Sequence, residues 1–232
     1  MENMDKDRKE KLEIDGGLGV FEETAPLKKV LMWGEPGSEA VLGQLLPTEI
    51  SCFQEPFDIV KAREEFKFSR QLLESKGIDV ILVKDLLARM IEDTDYVVNK
   101  DLSKITNELA KKGNKYRDQY QEVVSKDKDV NLSNWPEWLT LSLRADAEEY
   151  GEKTAVALNE ILSNRDGLPL SNVLYARDQS NLLKKTFVFS SMRHEIRQPE
   201  VKLYRDALEH AGIIANSGLD VVCVGGSGRF EG

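Results

Sequence analysis

Two stretches of this sequence are answered, in the same order, by two others further along. Leu27-Lys-Lys-Val-Leu-Met-Trp33 is echoed by Leu183-Lys-Lys-Thr-Phe-Val-Phe189, and Arg70-Gln-Leu-Leu-Glu-Ser-Lys-Gly-Ile78 by Arg205-Asp-Ala-Leu-Glu-His-Ala-Gly-Ile213. Each second stretch leads into an apolar run, at 80–83 or 221–224. A strand run, a helix that stops at glycine and a second strand run, found twice, read as two copies of one strand–helix–strand block. Units of this kind cannot bury their faces alone, so two of them imply a larger ring or stack. The glycine-rich ending Gly225-Gly-Ser-Gly-Arg-Phe-Glu-Gly232 offers no closing helix or strand. The sequence therefore reads as a fragment of a longer protein.

Local signals fill in the blocks. The first strand run is closed by Gly34-Glu-Pro-Gly37, and Asp58 is placed to cap a helix whose face repeats at Ala62, Phe66, Ser69 and Leu73 before Gly77. Residues 78–83 predict a mostly buried strand. Residues 84–166 change character, with helix-like segments at 85–91, 102–112, 116–124, 136–150 and 153–162. Leu139, Leu143, Ala147 and Tyr150 share one face there, and Trp135 and Trp138 are the expected anchors of a small helical bundle. Strand chemistry returns after Gly167-Leu-Pro169, with Asn172-Val-Leu-Tyr175 as a short strand. The expected organisation is an α/β fold: an N-terminal arm over 1–25, a first unit over 26–84, an inserted helical subdomain over 85–168, and a second, incomplete unit over 169–232.

Composition excludes several classes. With 232 residues the chain can bury a core without disulfides or metal. Its net charge of -9, with no basic block interleaved with aromatics, argues against nucleic acid as a partner. No apolar run reaches the ~18 residues of a membrane span. The start, Met1-Glu-Asn-Met-Asp-Lys-Asp-Arg-Lys-Glu10, is charged rather than signal-like, so a cytoplasmic protein is expected. There are two cysteines and two histidines. Cys223, inside its apolar run, reads as a small buried hydrophobe, and Cys52 sits near a proline-flanked loop. His210 ends a helix and reads as structural; His194 either lines a site or faces water. A zinc site would need more ligands at closer spacing, and no cofactor is expected.

The candidate site is Ser171-Asn-Val-Leu-Tyr-Ala-Arg-Asp178 taken with Arg197 and Phe230-Glu-Gly232. A carboxylate and an arginine at the end of an apolar run could hold, from both sides, a small cation that carries its own carboxylate. Asp178 can accept two parallel hydrogen bonds from a guanidinium or amidinium group. The plainer alternative makes Arg177 and Asp178 a solvated turn pair. Glu231, beside Phe230, is either a proton shuttle with a raised pKa or an ordinary exposed acid. A phosphate-binding role for the glycines would need a helix behind them, and only Arg229-Phe-Glu-Gly232 follows.

These residues resemble the arginine deiminase branch of the guanidino-group modifying enzymes. Asn172-Val-Leu-Tyr-Ala-Arg-Asp178, Arg197 and the terminal Phe-Glu-Gly carry the likeness, as does Glu55-Pro-Phe-Asp-Ile-Val-Lys-Ala-Arg-Glu-Glu65 leading to Gly77-Ile-Asp-Val80. It spans nearly all of residues 26–232. The resemblance implies the pentein fold, a propeller of ββαβ units, here in part, with the helical insertion after the first. It implies that Asp178 grips the guanidinium of arginine, that Asn172 and Arg197 hold its α-carboxylate with Tyr175 also at the substrate, and that Glu231 shuttles protons. Neither metal nor organic cofactor is implied; a homodimer or tetramer is. The catalytic His and Cys would lie beyond Gly232, so neither Cys52 nor Cys223 inherits the role. Gln179-Ser180 stands where many bacterial deiminases have Pro-Phe. That departure leaves open an amidinotransferase, an arginine dihydrolase or a non-catalytic arginine-binding domain.

Overall fold

The computed structural model describes residues 24–96, 98–120, 132–163, 167–216 and 218–224. Glu231, the glycine-rich ending, most of the expected N-terminal arm and the last part of the 116–124 segment lie outside the described residues.

The first strand run forms β1 (Lys29–Met32), and short helices α1 (Ser38–Gly43) and α2 (Thr48–Ser51) follow it. Asp58 then caps α3 (Ile59–Ser75), its side chain accepting from Val60 N at 2.8 Å and Lys61 N at 3.2 Å. Ala62, Phe66 and Leu73 are half-buried as the spacing predicts, while Ser69 is exposed. Gly77, at φ +74°, turns the chain into β2 (Asp79–Leu82), which pairs parallel with β1 from Lys29↔Asp79 to Met32↔Leu82. The strand ends one residue earlier than expected. Val83 opens α4 (Val83–Asp93), and Lys84 N donates to Trp33 O at 2.9 Å.

Between Leu102 and Leu162 the described residues are mainly helical. Asp101 caps α5 (Leu102–Gln119), and α6 (Trp135–Tyr150) and α7 (Glu152–Leu162) follow. The sequence suggested a break between 112 and 116, yet α5 runs through it. Gly113 is tolerated inside this helix because it is a contact point, not a stop: a Cβ there would lie 2.5 Å from the Trp135 ring.

Two expectations for the second half are corrected. Residues 171–174 form a turn, not a strand, and lead into α8 (Ala176–Gln179). The run Leu183-Lys-Lys-Thr-Phe-Val-Phe189 is not one strand either. It turns at Lys184, at φ +53°, so that β3 (Ser180–Leu183) and β4 (Thr186–Phe189) make an antiparallel hairpin. From β4 the chain crosses over through α9 (Gln198–His210) and α10 (Ile213–Asn216) to β5 (Asp220–Cys223), which pairs parallel with β4. Both echoed halves thus contain a parallel strand pair joined through helices, within a mixed α/β architecture. Cys223, expected inside, is exposed on β5, where Arg205 Nη1 lies 3.4 Å from its sulfur.

One core serves both halves. Trp33 and Val83 from the first, Leu86 and Leu87 from α4, Leu158 and Leu162 from α7, and Val173, Phe189 and Tyr204 from the second form one buried cluster. Trp33 stacks on Tyr204 with ring centroids 5.8 Å apart. A second cluster packs α1 against α5 and α6 around Trp135, Trp138, Leu139 and Leu143, as the sequence suggested for the tryptophans.

The helical layer is also tied to the first unit by buried charge. Lys84 Nζ lies 2.7 Å from Asp146 Oδ1, with both side chains almost wholly buried, and Asn159 Nδ2 donates to Asp146 Oδ2 at 2.9 Å. Glu39, also buried, accepts from Trp33 Nε1 at 3.2 Å and Gly37 N at 2.9 Å. Burial works against the charge on Lys84, but Asp146 and Glu39 outweigh it and its pKa is raised. Removing one partner of such a pair leaves a buried charge uncompensated. Lys84→Met is therefore expected to lower the unfolding free energy by about 3–5 kcal/mol in urea titrations; a loss below about 1 kcal/mol would contradict this reading of the pair.

Candidate active site

The site is built on a turn whose main chain is engaged on every side. Leu170 N donates to Leu162 O at 2.9 Å, anchoring the segment to the end of α7. Val173 is buried in the core, and its carbonyl accepts from the Tyr204 hydroxyl at 2.6 Å. Tyr175 N bonds back to Asn172 O at 3.1 Å, and Asp178 N to Tyr175 O at 2.9 Å. These bonds place Asp178 in the last turn of α8, while Gln179 O accepts from Ser190 N at 3.0 Å and fixes that turn to the end of β4.

Arg197 reaches the same point from the short 3₁₀ turn Glu195–Arg197 ahead of α9. Its Nη2 lies 3.0 Å from Asp178 Oδ2, and its Nε lies 3.1 Å from Glu200 Oε2. Asp178 and Arg197, nineteen residues apart in sequence, are thus in direct contact. Asp178 pairs with Arg197, not with its neighbour Arg177 as the turn-pair alternative required. The remaining sequence candidates stand differently. Asn172 joins the cluster mainly through its backbone, since its side-chain amide donates to Ser51 O and Ser171 Oγ. Tyr175 is half exposed. His194 is exposed, and His210 pairs with Asp93 at 3.0 Å across the α9–α4 contact.

Two residues at the centre of this cluster were not among the site residues expected from the sequence: Glu200, and Gln179, which was noted only as a departure from the family's pattern. Glu200 is 2% exposed and is held by three donors: Asn172 N at 3.0 Å to Oε1, and Gln179 Nε2 at 3.0 Å and Arg197 Nε at 3.1 Å to Oε2. Gln179 Nε2 also donates to Asn172 O at 2.9 Å. The available signal was the Arg-x-x-Glu spacing at 197–200, which puts both side chains on one face of a helix start.

The electrostatics follow from burial. Burial pushes the Glu200 carboxyl above its ordinary pKa, and Arg197, with the Asn172 and Gln179 donors, only partly draws it back. For Arg197 burial disfavours the charge, but Glu200 and Asp178 more than offset it and the guanidinium stays firmly protonated. The result is a fixed cation beside a partly exposed carboxylate. Such a pair can receive a ligand that carries both charges. Among the described residues no group of three or more His, Cys, Asp and Glu side chains is arranged to hold a metal ion. Among them, too, no helix is long and apolar enough to cross a membrane.

Arg197→Ala would leave Glu200 buried with only neutral donors. The expected cost is about 3–5 kcal/mol of stability near neutral pH. Without the arginine the native-state pKa of Glu200 rises further, so the native state binds its proton more tightly than the unfolded chain does. The deficit should therefore shrink as the pH is lowered from 7 toward 5, and denaturant titrations at several pH values would show it. A deficit that grows on acidification would contradict the assignment.

The arginine deiminase family model matches residues 52–232, well over half of the chain. No curated protein matches it. A match of that extent, covering the turn, α8, Arg197 and Glu200 alike, is enough to say that the chain belongs to the arginine deiminase family.

Proposed function

We propose that the chain carries the substrate-gripping part of an arginine deiminase-like hydrolase, which converts arginine and water to citrulline and ammonia. The observation that carries this reading is the Arg197–Asp178 contact held on the buried Glu200 carboxylate, in a member of this family. Asp178 and Arg197, which pair with each other at 3.0 Å, can exchange that contact for the two ends of a ligand that is a cation at one end and a carboxylate at the other, the ligand parting the pair as it binds. Asp178 takes the guanidinium and Arg197 the α-carboxylate, with Tyr175 and Asn172 beside them and Glu231 moving protons.

The chemistry is covalent. A thiolate forms a bond to the guanidinium carbon, one nitrogen takes a proton and leaves as ammonia, and water then displaces the sulfur from the thiouronium to leave the ureido group of citrulline. A carboxylate against the guanidinium fixes the carbon under attack. Neither Cys52 nor Cys223 is assigned as the nucleophile in this reading, nor is His194 or His210 assigned as the catalytic His. In the same reading the two strand–helix–strand units, over 26–84 and 169–232, are two of the ββαβ units of a pentein propeller with residues 85–168 inserted between them. The protein works in the cytoplasm, as a dimer or tetramer.

The test is to incubate the natural-length protein with arginine and identify products by mass spectrometry, with Asp178→Ala as control. Citrulline and ammonia are expected, with arginine binding weakened about 10- to 100-fold in the variant through loss of a charge-assisted contact. Ornithine instead of citrulline would point to a dihydrolase, and a product that needs an added amine to a transferase. No product from arginine or related guanidines would sink the catalytic reading in favour of a binding domain.

A further inference from the structure

Gln179 is fully buried, and the polar atoms of its side chain are treated unequally. Nε2 donates twice, to Asn172 O at 2.9 Å and to Glu200 Oε2 at 3.0 Å. Oε1 is buried and has no hydrogen-bond partner among the described residues. Turning the amide over would set its oxygen against two acceptors, so the chemistry of the neighbours fixes its orientation. Both N–H groups are thus aimed at the turn and at Glu200, while the oxygen meets no donor among the described residues. Gln179 is also the residue next to Asp178, so the amide links the carboxylate that faces Arg197 from one side to the carboxylate that holds Arg197 from the other.

We infer that Gln179 is a positioning residue, which keeps Glu200 ionised and so holds the Arg197 guanidinium in the orientation that meets Asp178. The inference rests on the reading above only where arginine binding is concerned. Among the described residues, three ionisable groups face Glu200 or its partners: Arg197, Asp178 and Tyr204, whose own pKa is raised far by burial and by both carboxylates, so that it stays neutral. Among the neutral side chains, Gln179 is the donor that touches Glu200. A donor to a carboxylate favours its charged form, and removing it makes protonation easier. When Glu200 is protonated, Arg197 loses its counter-charge at Nε, and the Asp178 contact at Nη2 is the charged contact left to orient the guanidinium.

The variant is Gln179→Met, which keeps the length and loses both donors along with the orphaned oxygen. In the ¹⁵N-labelled full-length protein, the Arg197 Nε–H resonance should follow Glu200 as the pH is lowered, and its midpoint should move up by about one pH unit in the variant. Arginine affinity should match the wild type at high pH and fall below it, by up to about tenfold, between the two midpoints. A role in packing alone would not move a titration midpoint. A midpoint unchanged by Gln179→Met would overturn the inference. A second measurement needs no variant: both Gln179 side-chain amide protons in the wild type should exchange slowly with water, and free exchange of either would overturn it too. If the midpoint moves but wild-type protein binds no arginine, the positioning role stands and the active-site reading falls.

Discussion

A single buried carboxylate organises the second half of this molecule. Glu200 is held by Asn172 N, Gln179 Nε2 and Arg197 Nε, donors from a turn, a one-turn helix and a 3₁₀ turn that are separate in sequence. Taking that charge out of water is costly, and it is sustained because every donor is in place. Loss of one donor should weaken the hold on the others. This is why Arg197, a long side chain, has one defined direction, and why Asp178 meets it at hydrogen-bond distance.

The rest of the fold keeps those pieces in register. Tyr204 on α9 reaches the turn through Val173 O and stacks on Trp33 at the end of β1, so the first strand–helix–strand unit buttresses the site on the second. Lys84, one residue into α4, then ties that first unit to α6 through Asp146. Hydrophobic burial supplies most of the driving force along this route, and the buried polar contacts select one arrangement.

Much of the frame was legible in the sequence. Asp58 and Gly77 marked the limits of α3 because a cap and a positive φ are local demands, and part of each echoed run, β1 in the first and β4 in the second, fell on a parallel pair. The site was legible only as a set of residue types. The apolar run Val173-Leu-Tyr175 looks like a strand, but the surrounding backbone groups bond to Glu200, Gln179 and Tyr204 in place of a ladder. Lys184 hid a hairpin, since nothing about a lysine announces a left-handed turn. Lys84, Glu39, Asp146 and Glu200 are buried, and charged residues read by default as surface, so their pairing is visible only once tertiary contacts exist.

The most direct measurement is a crystal structure of the protein soaked in arginine. The account predicts the ligand guanidinium within hydrogen-bond reach of Asp178 and its α-carboxylate on Arg197, with Arg197 Nε still on Glu200. Arginine bound elsewhere, or an Arg197–Asp178 pair unbroken at saturating arginine, would contradict it.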